Sequence, residues 1–209
     1  MHFNFPTLLC QIFWTNAYLA GMNSIPSLNL QNFTSGTQTQ RDQFVSDLGR
    51  AYEEIGFVAI SGHFLSESLI DELYKQVKAF FDLPEAVKKK YEIAGGGGQR
   101  GYTPFGKEHA KGKTAGDLKE FWHFGQYAEV AEELKPHYPP NVLVKEIPAF
   151  NEVGKATFEA LEKTGTALLQ AIALHLGLDT HYFDDFVATG NSILRPIHYP
   201  PIQSAPKDA

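Results

Sequence analysis

Eight histidines are the residues with the greatest potential for metal chemistry in this sequence. A mononuclear non-haem iron site needs two histidines and one carboxylate on the same face. A His-x-Asp or His-x-Glu pair on a strand meets part of that need, because side chains two residues apart point to the same side. No histidine here is followed two positions later by Asp or Glu. The sequence therefore predicts no metal ligand and no catalytic residue among its own positions.

Two other motifs favour a structural interpretation over a catalytic one. The segment from Gly96 to Gly101 matches G-x-G-x-x-G, but a lysine-rich helix precedes it and no helix start follows it. A dinucleotide loop needs the opposite arrangement, a strand before it and a helix after it, so a flexible loop is predicted. Lys88, Lys89 and Lys90 end a short predicted helix, where cations complement the helix dipole. We expect these three lysines to be solvated.

The composition is that of a globular protein of 209 residues, with 43% hydrophobic and 20% charged residues. The net charge of −6 argues against nucleic acid or an anionic membrane as a partner. The single cysteine, Cys10, excludes an internal disulfide and a cysteine-based zinc site and favours a cytoplasmic setting. No segment is long enough to cross a bilayer.

The first 21 residues are apolar but contain no Lys or Arg, and polar residues interrupt them. A secretory signal has a basic start and an unbroken apolar run. We therefore interpret residues 1–21 as a non-native leader, with Met22 as the start of the domain; a signal peptide is the alternative.

The elements that would position a site alternate between helices and strands. Apolar residues at spacings of three and four predict helices, and β-branched or aromatic runs predict strands. The predicted strands are 25–30, 57–60 (buried), 117–126 and 192–199, and the predicted helices are 41–55, 66–81, a short one ending at Tyr91, and 148–176. This mixture indicates an α+β fold.

The strand "SILRPIHY" has two distinct faces by the period of two. The first face carries Ile193, Arg195, Ile197 and Tyr199. The second carries Leu194, Pro196 and His198.

Five stretches, in their order along residues 25–202, resemble the N-terminal region of one enzyme family. They are "IPSLNL", "AYEEIGFVAISGH", "FFDLPEAVKKKYE", "QRGYTPFGKE" with "DLKEFWHFG", and "ILRPIHYPPI". The family is the isopenicillin N synthase-like group of 2-oxoglutarate/Fe(II)-dependent dioxygenases. The resemblance implies an N-terminal helical and strand region at 22–147, followed at 148–209 by a long helix and the first strands of an incomplete double-stranded β-helix (jelly roll).

The resemblance also implies roles for three residues. Tyr199 corresponds to a family tyrosine that contacts the 2-oxoglutarate carboxylate or the substrate, while Arg100 and Tyr102 line the mouth of the substrate site. Closure of a hydrophobic core is an equally good interpretation of Tyr199. Many relatives carry Asn where this sequence has Ile197, so the co-substrate contact at that position is in doubt.

The family's His-x-Asp, distal His and Arg-x-Ser all follow the Tyr-Pro-Pro stretch, and the sequence ends before any of them. The resemblance therefore implies a full-length parent that uses Fe(II) and 2-oxoglutarate to oxidise a small molecule, and a chain that holds neither by itself. The alternative is a short non-catalytic binding module or degenerate gene product of the same fold. Exposed apolar stripes predict self-association of the chain.

Overall fold

A computed structural model describes residues 25–95, 99–108, 116–128, 132–133 and 135–201. The predicted leader, residues 1–21, and the middle of the glycine-rich loop lie outside these described residues. Helices and two small sheets alternate along the described chain, which confirms the predicted α+β class.

The first unit is a parallel β-α-β arrangement. Strand β1 (Ser27–Asn29) leads through helices α1 (Gln31–Thr34) and α2 (Gln38–Glu54) to β2 (Ala59–Ser61), and β1 and β2 pair in parallel. Helix α2 begins three residues before the predicted position 41. The reason is a capping box, in which Thr37 accepts from the Gln40 amide and the Gln40 side chain accepts from the Thr37 amide.

The prediction of a buried strand at 57–60 is wrong in two respects. The strand lies at Ala59–Ser61, and Phe57 before it is 68% exposed. Ile60 is the strand residue that packs against the core. The sheet has only two strands, so one of its faces remains open and the apolar run cannot be buried on both sides.

The second unit contains the longer sheet and its supporting helices. Its elements are α3 (Glu67–Phe81), α4 (Glu85–Lys88) with a 3₁₀ turn (Lys89–Tyr91), β3 (Gly101–Thr103), β4 (Glu120–Gly125), a second 3₁₀ turn (Lys135–His137), α5 (Pro148–His175), α6 (Asp184–Ala188), β5 (Ile193–Leu194) and β6 (Ile197–His198). Strand β4 pairs antiparallel with β3 on one side and with β5 and β6 on the other.

Helix α5 connects two hydrophobic clusters, and its position confirms the predicted helix at 148–176. Its C-terminal half contributes Ala167 and Ala171 to a cluster with residues of α1 and α2. Its N-terminal half contributes Phe150 and Phe158 to a mainly aromatic cluster. The other members of that cluster are Phe80, Phe81, Tyr91, Tyr102, Trp122, Phe124 and Val144.

Strands β5 and β6 are one extended segment that a proline interrupts. Phe124 pairs with Leu194, and Phe121 pairs with Ile197, so both strands keep the same register against β4. Between them, Pro196 has no N–H to donate to the ladder, although its carbonyl still accepts from the Trp122 amide at 3.1 Å. The predicted strand at 192–199 is therefore present as two short pieces.

Among the described residues, no helix is both long and apolar enough to span a membrane.

Candidate functional site

The β5–β6 segment has the two faces predicted for it. Ile193, Arg195, Ile197 and Tyr199 are exposed, whereas the residues between them are half-buried against the helices. Tyr199 is the most open of the set, at 67% exposure. Tyr199 directly follows β6, and its side chain is open to solvent.

Arg195 lies on the same face as Tyr199 and is held by three neighbours. Its Nε donates to Nε2 of His123, and its guanidinium carbon lies 4.4 Å from the centre of the Phe121 ring. Its Nη1 is 3.8 Å from the Glu108 carboxylate. The side chain still keeps 39% exposure. A fixed guanidinium with free N–H groups is suited to bind a carboxylate. Sequence reasoning did not select Arg195, although the period of two places it on the same face as Tyr199.

Arg100 and Tyr102 lie together at a cleft of about 290 Å³, which is also lined by Glu108 and Phe121. Most of each side chain is buried. The Arg100 guanidinium donates to the Asn191 side chain at 2.7 Å and to the Gln99 carbonyl at 2.7 Å.

Burial also shifts the pKa of both side chains. Burial lowers the pKa of Arg100, and the Nε atom of this residue has no hydrogen-bond partner among the described residues. Burial, and then the hydrogen bond that its hydroxyl donates to Glu120, raise the pKa of Tyr102. Tyr102 is therefore a neutral donor. Tyr199 does not line this cleft, so the structure brings two of the three predicted residues together.

A buried ionic cluster lies on the face of the sheet opposite to Arg195. It corrects the prediction that the lysine run is solvated. Lys88 is 6% exposed rather than solvated, and its Nζ lies 2.7 Å from Oε2 of Glu120, which is 1% exposed. Lys89 is more open and pairs with Glu85 at the surface. The signal for Glu120 was in the sequence, because alternation places it on the same face as the buried Trp122 and Phe124.

The same residues do not assemble an iron site. Among the residues that the structure describes, no three His, Cys, Asp or Glu side chains are grouped so that they could hold a metal ion. His123 and His198 lie on opposite faces of the sheet, and each is bonded to a charged neighbour, Arg195 and Glu120 respectively. The described residues therefore do not fit an Fe(II) centre, and none of them is assigned to one.

Comparison with known proteins shows the family to which this fold belongs. Residues 25–146, more than half of the chain, match the family model described as non-haem dioxygenase in morphine synthesis, N-terminal. The chain belongs to this family of 2-oxoglutarate/Fe(II)-dependent dioxygenases. The family match confirms the resemblance carried by the first four sequence stretches; the fifth, at 193–202, lies beyond the matched residues.

Individual relatives of this dioxygenase chain agree with the family match. The 2-oxoglutarate-dependent dioxygenase frbA of Dothideomycetidae sp. is 29% identical over 85% of this chain and 55% of its own length. A 2OG-Fe(II) oxygenase family protein from Caulobacter crescentus is 38% identical, with a TM-score of 0.75 over 88% of this chain and 59% of its own. Neurospora crassa T7H in complex with alpha-KG, 24% identical, shares the fold with a TM-score of 0.67 over 84% of this chain and 51% of its own.

The chain spans about half the length of the curated relatives it matches. Its α+β arrangement of a helical and strand region followed by β3–β6 corresponds to the N-terminal part of the family's jelly-roll fold. Fe(II) and 2-oxoglutarate belong to the family.

Proposed function

We propose that this chain forms the N-terminal part of an oxygenase that uses 2-oxoglutarate and Fe(II) to oxidise a small molecule. The observation that carries the proposal is the family match over residues 25–146. In this proposal residues 22–147 form the N-terminal domain, and residues 148–209 contribute the long helix and the first strands of the core. The metal ligands come from outside the described residues.

Tyr199 is proposed to contact the carboxylate of 2-oxoglutarate or of the substrate. The support is its open position on the exposed face of the β5–β6 segment, with the guanidinium of Arg195 on the same face. A phenol can donate a hydrogen bond to an anion. When bound, 2-oxoglutarate supplies half of the electrons for oxygen reduction through its oxidative decarboxylation to succinate, and the small molecule that is oxidised supplies the other half.

Arg100 and Tyr102 are proposed to line the entrance to the substrate site. Their support is the cleft of about 290 Å³ that both side chains border. The hydroxyl of Tyr102 is bonded to Glu120, so its contribution is the shape of the wall rather than a free donor.

A chimaera tests the proposal directly. Residues 25–199 of this chain replace the corresponding N-terminal part of the Caulobacter crescentus relative, which supplies the remaining part of its own chain. We expect the purified chimaera to release succinate from 2-oxoglutarate only when Fe(II) is present. The Tyr199→Phe chimaera should raise the KM for 2-oxoglutarate, because the hydrogen bond from the phenol is lost while the ring remains.

The matched control is Tyr52→Phe, which removes a hydroxyl at a position that is 43% exposed on α2. A folded chimaera that consumes no 2-oxoglutarate in the presence of Fe(II) would contradict the proposed function and favour a non-catalytic binding module. A Tyr199→Phe chimaera with an unchanged KM would leave the function standing and remove Tyr199 from the co-substrate site.

A further inference from the structure

Strand β6, which directly precedes Tyr199, has few backbone hydrogen bonds to hold it. It consists of two residues, Ile197 and His198, and prolines at 196 and 200 flank it without an N–H to donate. Among the described strands it pairs only with β4. A short edge segment of this kind needs side-chain contacts to fix its position.

The buried ionic cluster supplies such a contact. Nδ1 of His198 lies 2.8 Å from Oε1 of Glu120, and the imidazole ring stacks on Phe81 with a centroid separation of 5.2 Å. The hydroxyl of Tyr102 donates to the second carboxylate oxygen of Glu120. Three elements, β3, β4 and β6, therefore meet at one carboxylate.

Lys88 balances the charge of that carboxylate. Its Nζ donates to both oxygens of Glu120, at 2.9 and 2.7 Å, and to the carbonyl of Phe81 at 2.9 Å. These three contacts match the three protons of an ammonium group. Glu120 accepts on both of its carboxylate oxygens, from the ammonium group of Lys88 and from the hydroxyl of Tyr102. The proton between Glu120 and His198 therefore belongs to Nδ1 of His198.

We infer that Glu120 is a positioning residue for Tyr199, acting through its hydrogen bond to His198. Because successive side chains of a strand point to opposite faces, holding His198 on the helix side directs Tyr199 to the other face. Lys88 serves the same end, because its two hydrogen bonds to Glu120 hold the carboxylate in place. The functional consequence of this inference rests on the proposed role of Tyr199, whereas the structural link between Glu120 and β6 does not.

Hydrogen exchange of the 209-residue chain tests the link. His198→Phe keeps a ring that can stack on Phe81 but removes the donor to Glu120. We expect the amides of residues 193–199 to exchange about tenfold faster in this variant, since the loss of one hydrogen bond to a charged group raises the equilibrium constant for local opening by about that factor. His198→Gln restores an N–H donor and should recover most of the protection.

Nuclear magnetic resonance spectroscopy determines which ring nitrogen of His198 carries the proton. In protein labelled with ¹⁵N-histidine, we expect His198 to carry its proton on Nδ1, and we expect Glu120→Gln to change that signal. Glu85→Gln, which removes a charge from the exposed pair with Lys89, is the matched control and should leave the signal unchanged.

The arms separate the two hypotheses. Unchanged exchange in His198→Phe, or a His198 protonated on Nε2 alone, would overturn the inference whatever the chimaera does. If Glu120→Gln fails to fold, hydrogen exchange in the His198 variants still tests whether the bond between Glu120 and His198 holds β6. In an active chimaera, His198→Phe should raise the KM for 2-oxoglutarate several-fold more than it lowers kcat. An unchanged KM would show that the hydrogen bond between His198 and Glu120 does not position Tyr199. An inactive chimaera would contradict the proposed function alone.

Discussion

Among single residues, Lys88 is expected to contribute strongly to stability, because its charge is buried and is paired with the carboxylate of Glu120. Removing one member of a buried pair leaves the other unpaired in a poorly solvated site, which costs about 3–5 kcal/mol. We therefore expect Lys88→Met to lower the free energy of unfolding by about that amount, measured by urea denaturation. Phe81 also loses the donor to its carbonyl in this variant.

The adjacent lysine is the control. Lys89 pairs with Glu85 at the surface, where water screens the two charges and the pair contributes little to stability. Lys89→Met should therefore leave the unfolding midpoint almost unchanged. Equal effects of the two substitutions would contradict the assignment of the lysine run to one buried and one exposed position.

The lysine run also shows what sequence reasoning can and cannot predict at single residues. Composition and helix-end position correctly predict the environment of Lys89, but they do not distinguish Lys88 from its neighbour. The distinction depends on Glu120, which is 32 positions away in the chain and becomes a neighbour only when β4 packs beside α4. Pairing over such a separation leaves no local pattern, and the sequence analysis did not single out Glu120.

At the level of elements, two glycines of α5 give opposite predictions for the same substitution. A Cβ added at Gly154 would lie 2.2 Å from the ring of Phe124, which is buried, so Gly154→Ala overpacks the aromatic cluster at a cost of about 1–3 kcal/mol. This cost exceeds the gain of about 0.8–1.0 kcal/mol in helix propensity. We expect a net loss of stability, measured as a lower thermal midpoint.

Gly165 is the matched position in the same helix. A Cβ added there would meet no neighbouring element within 4 Å, so Gly165→Ala should keep the propensity gain and raise stability by about 0.5–1 kcal/mol. A stabilising Gly154→Ala would show that Phe124 can move aside and that the contact between α5 and β4 is looser than its geometry indicates.

Helices were easier to predict than strands, and the reason is physical. The apolar period of α5 extends over 28 residues, and Pro148 begins the helix, so its bounds follow from local signals. Strands β1 and β2 have three residues each, and their burial depends on how many layers cover the sheet. The exposure of Phe57 follows from that layering, which no local pattern encodes. Alternation did predict the two faces of 193–199, because each residue there follows the period of two.

For the whole molecule, we expect the 209-residue chain not to bind Fe(II) tightly. A stable site needs at least three protein ligands at fixed geometry, and the described residues contain no such group. Anaerobic calorimetry with Fe(II) provides the measurement. The chimaera is the positive control, because the Caulobacter crescentus part should restore stoichiometric binding. Stoichiometric binding by the chain alone would contradict this prediction.

Self-association of the chain is the second expectation for the whole molecule. The β5–β6 segment exposes Ile193, Ile197 and Tyr199, and it borders a groove of about 690 Å³ between α3 and α5 that is lined mainly by apolar side chains. An exposed strand beside an apolar groove favours pairing with another chain. We expect light scattering to show dimers or larger species whose fraction rises with protein concentration.

Ile197→Lys tests whether this segment causes the association. A charge on an edge strand opposes strand pairing, so the variant should shift the chain toward monomer at the same concentration. Tyr52→Lys is the matched control, since Tyr52 on α2 is 43% exposed and Ile197 is 41% exposed. Equal effects of the two substitutions would indicate nonspecific association through scattered apolar residues. A wild-type chain that is monomeric at every concentration would mean that the open face of β5–β6 needs no partner to remain in solution.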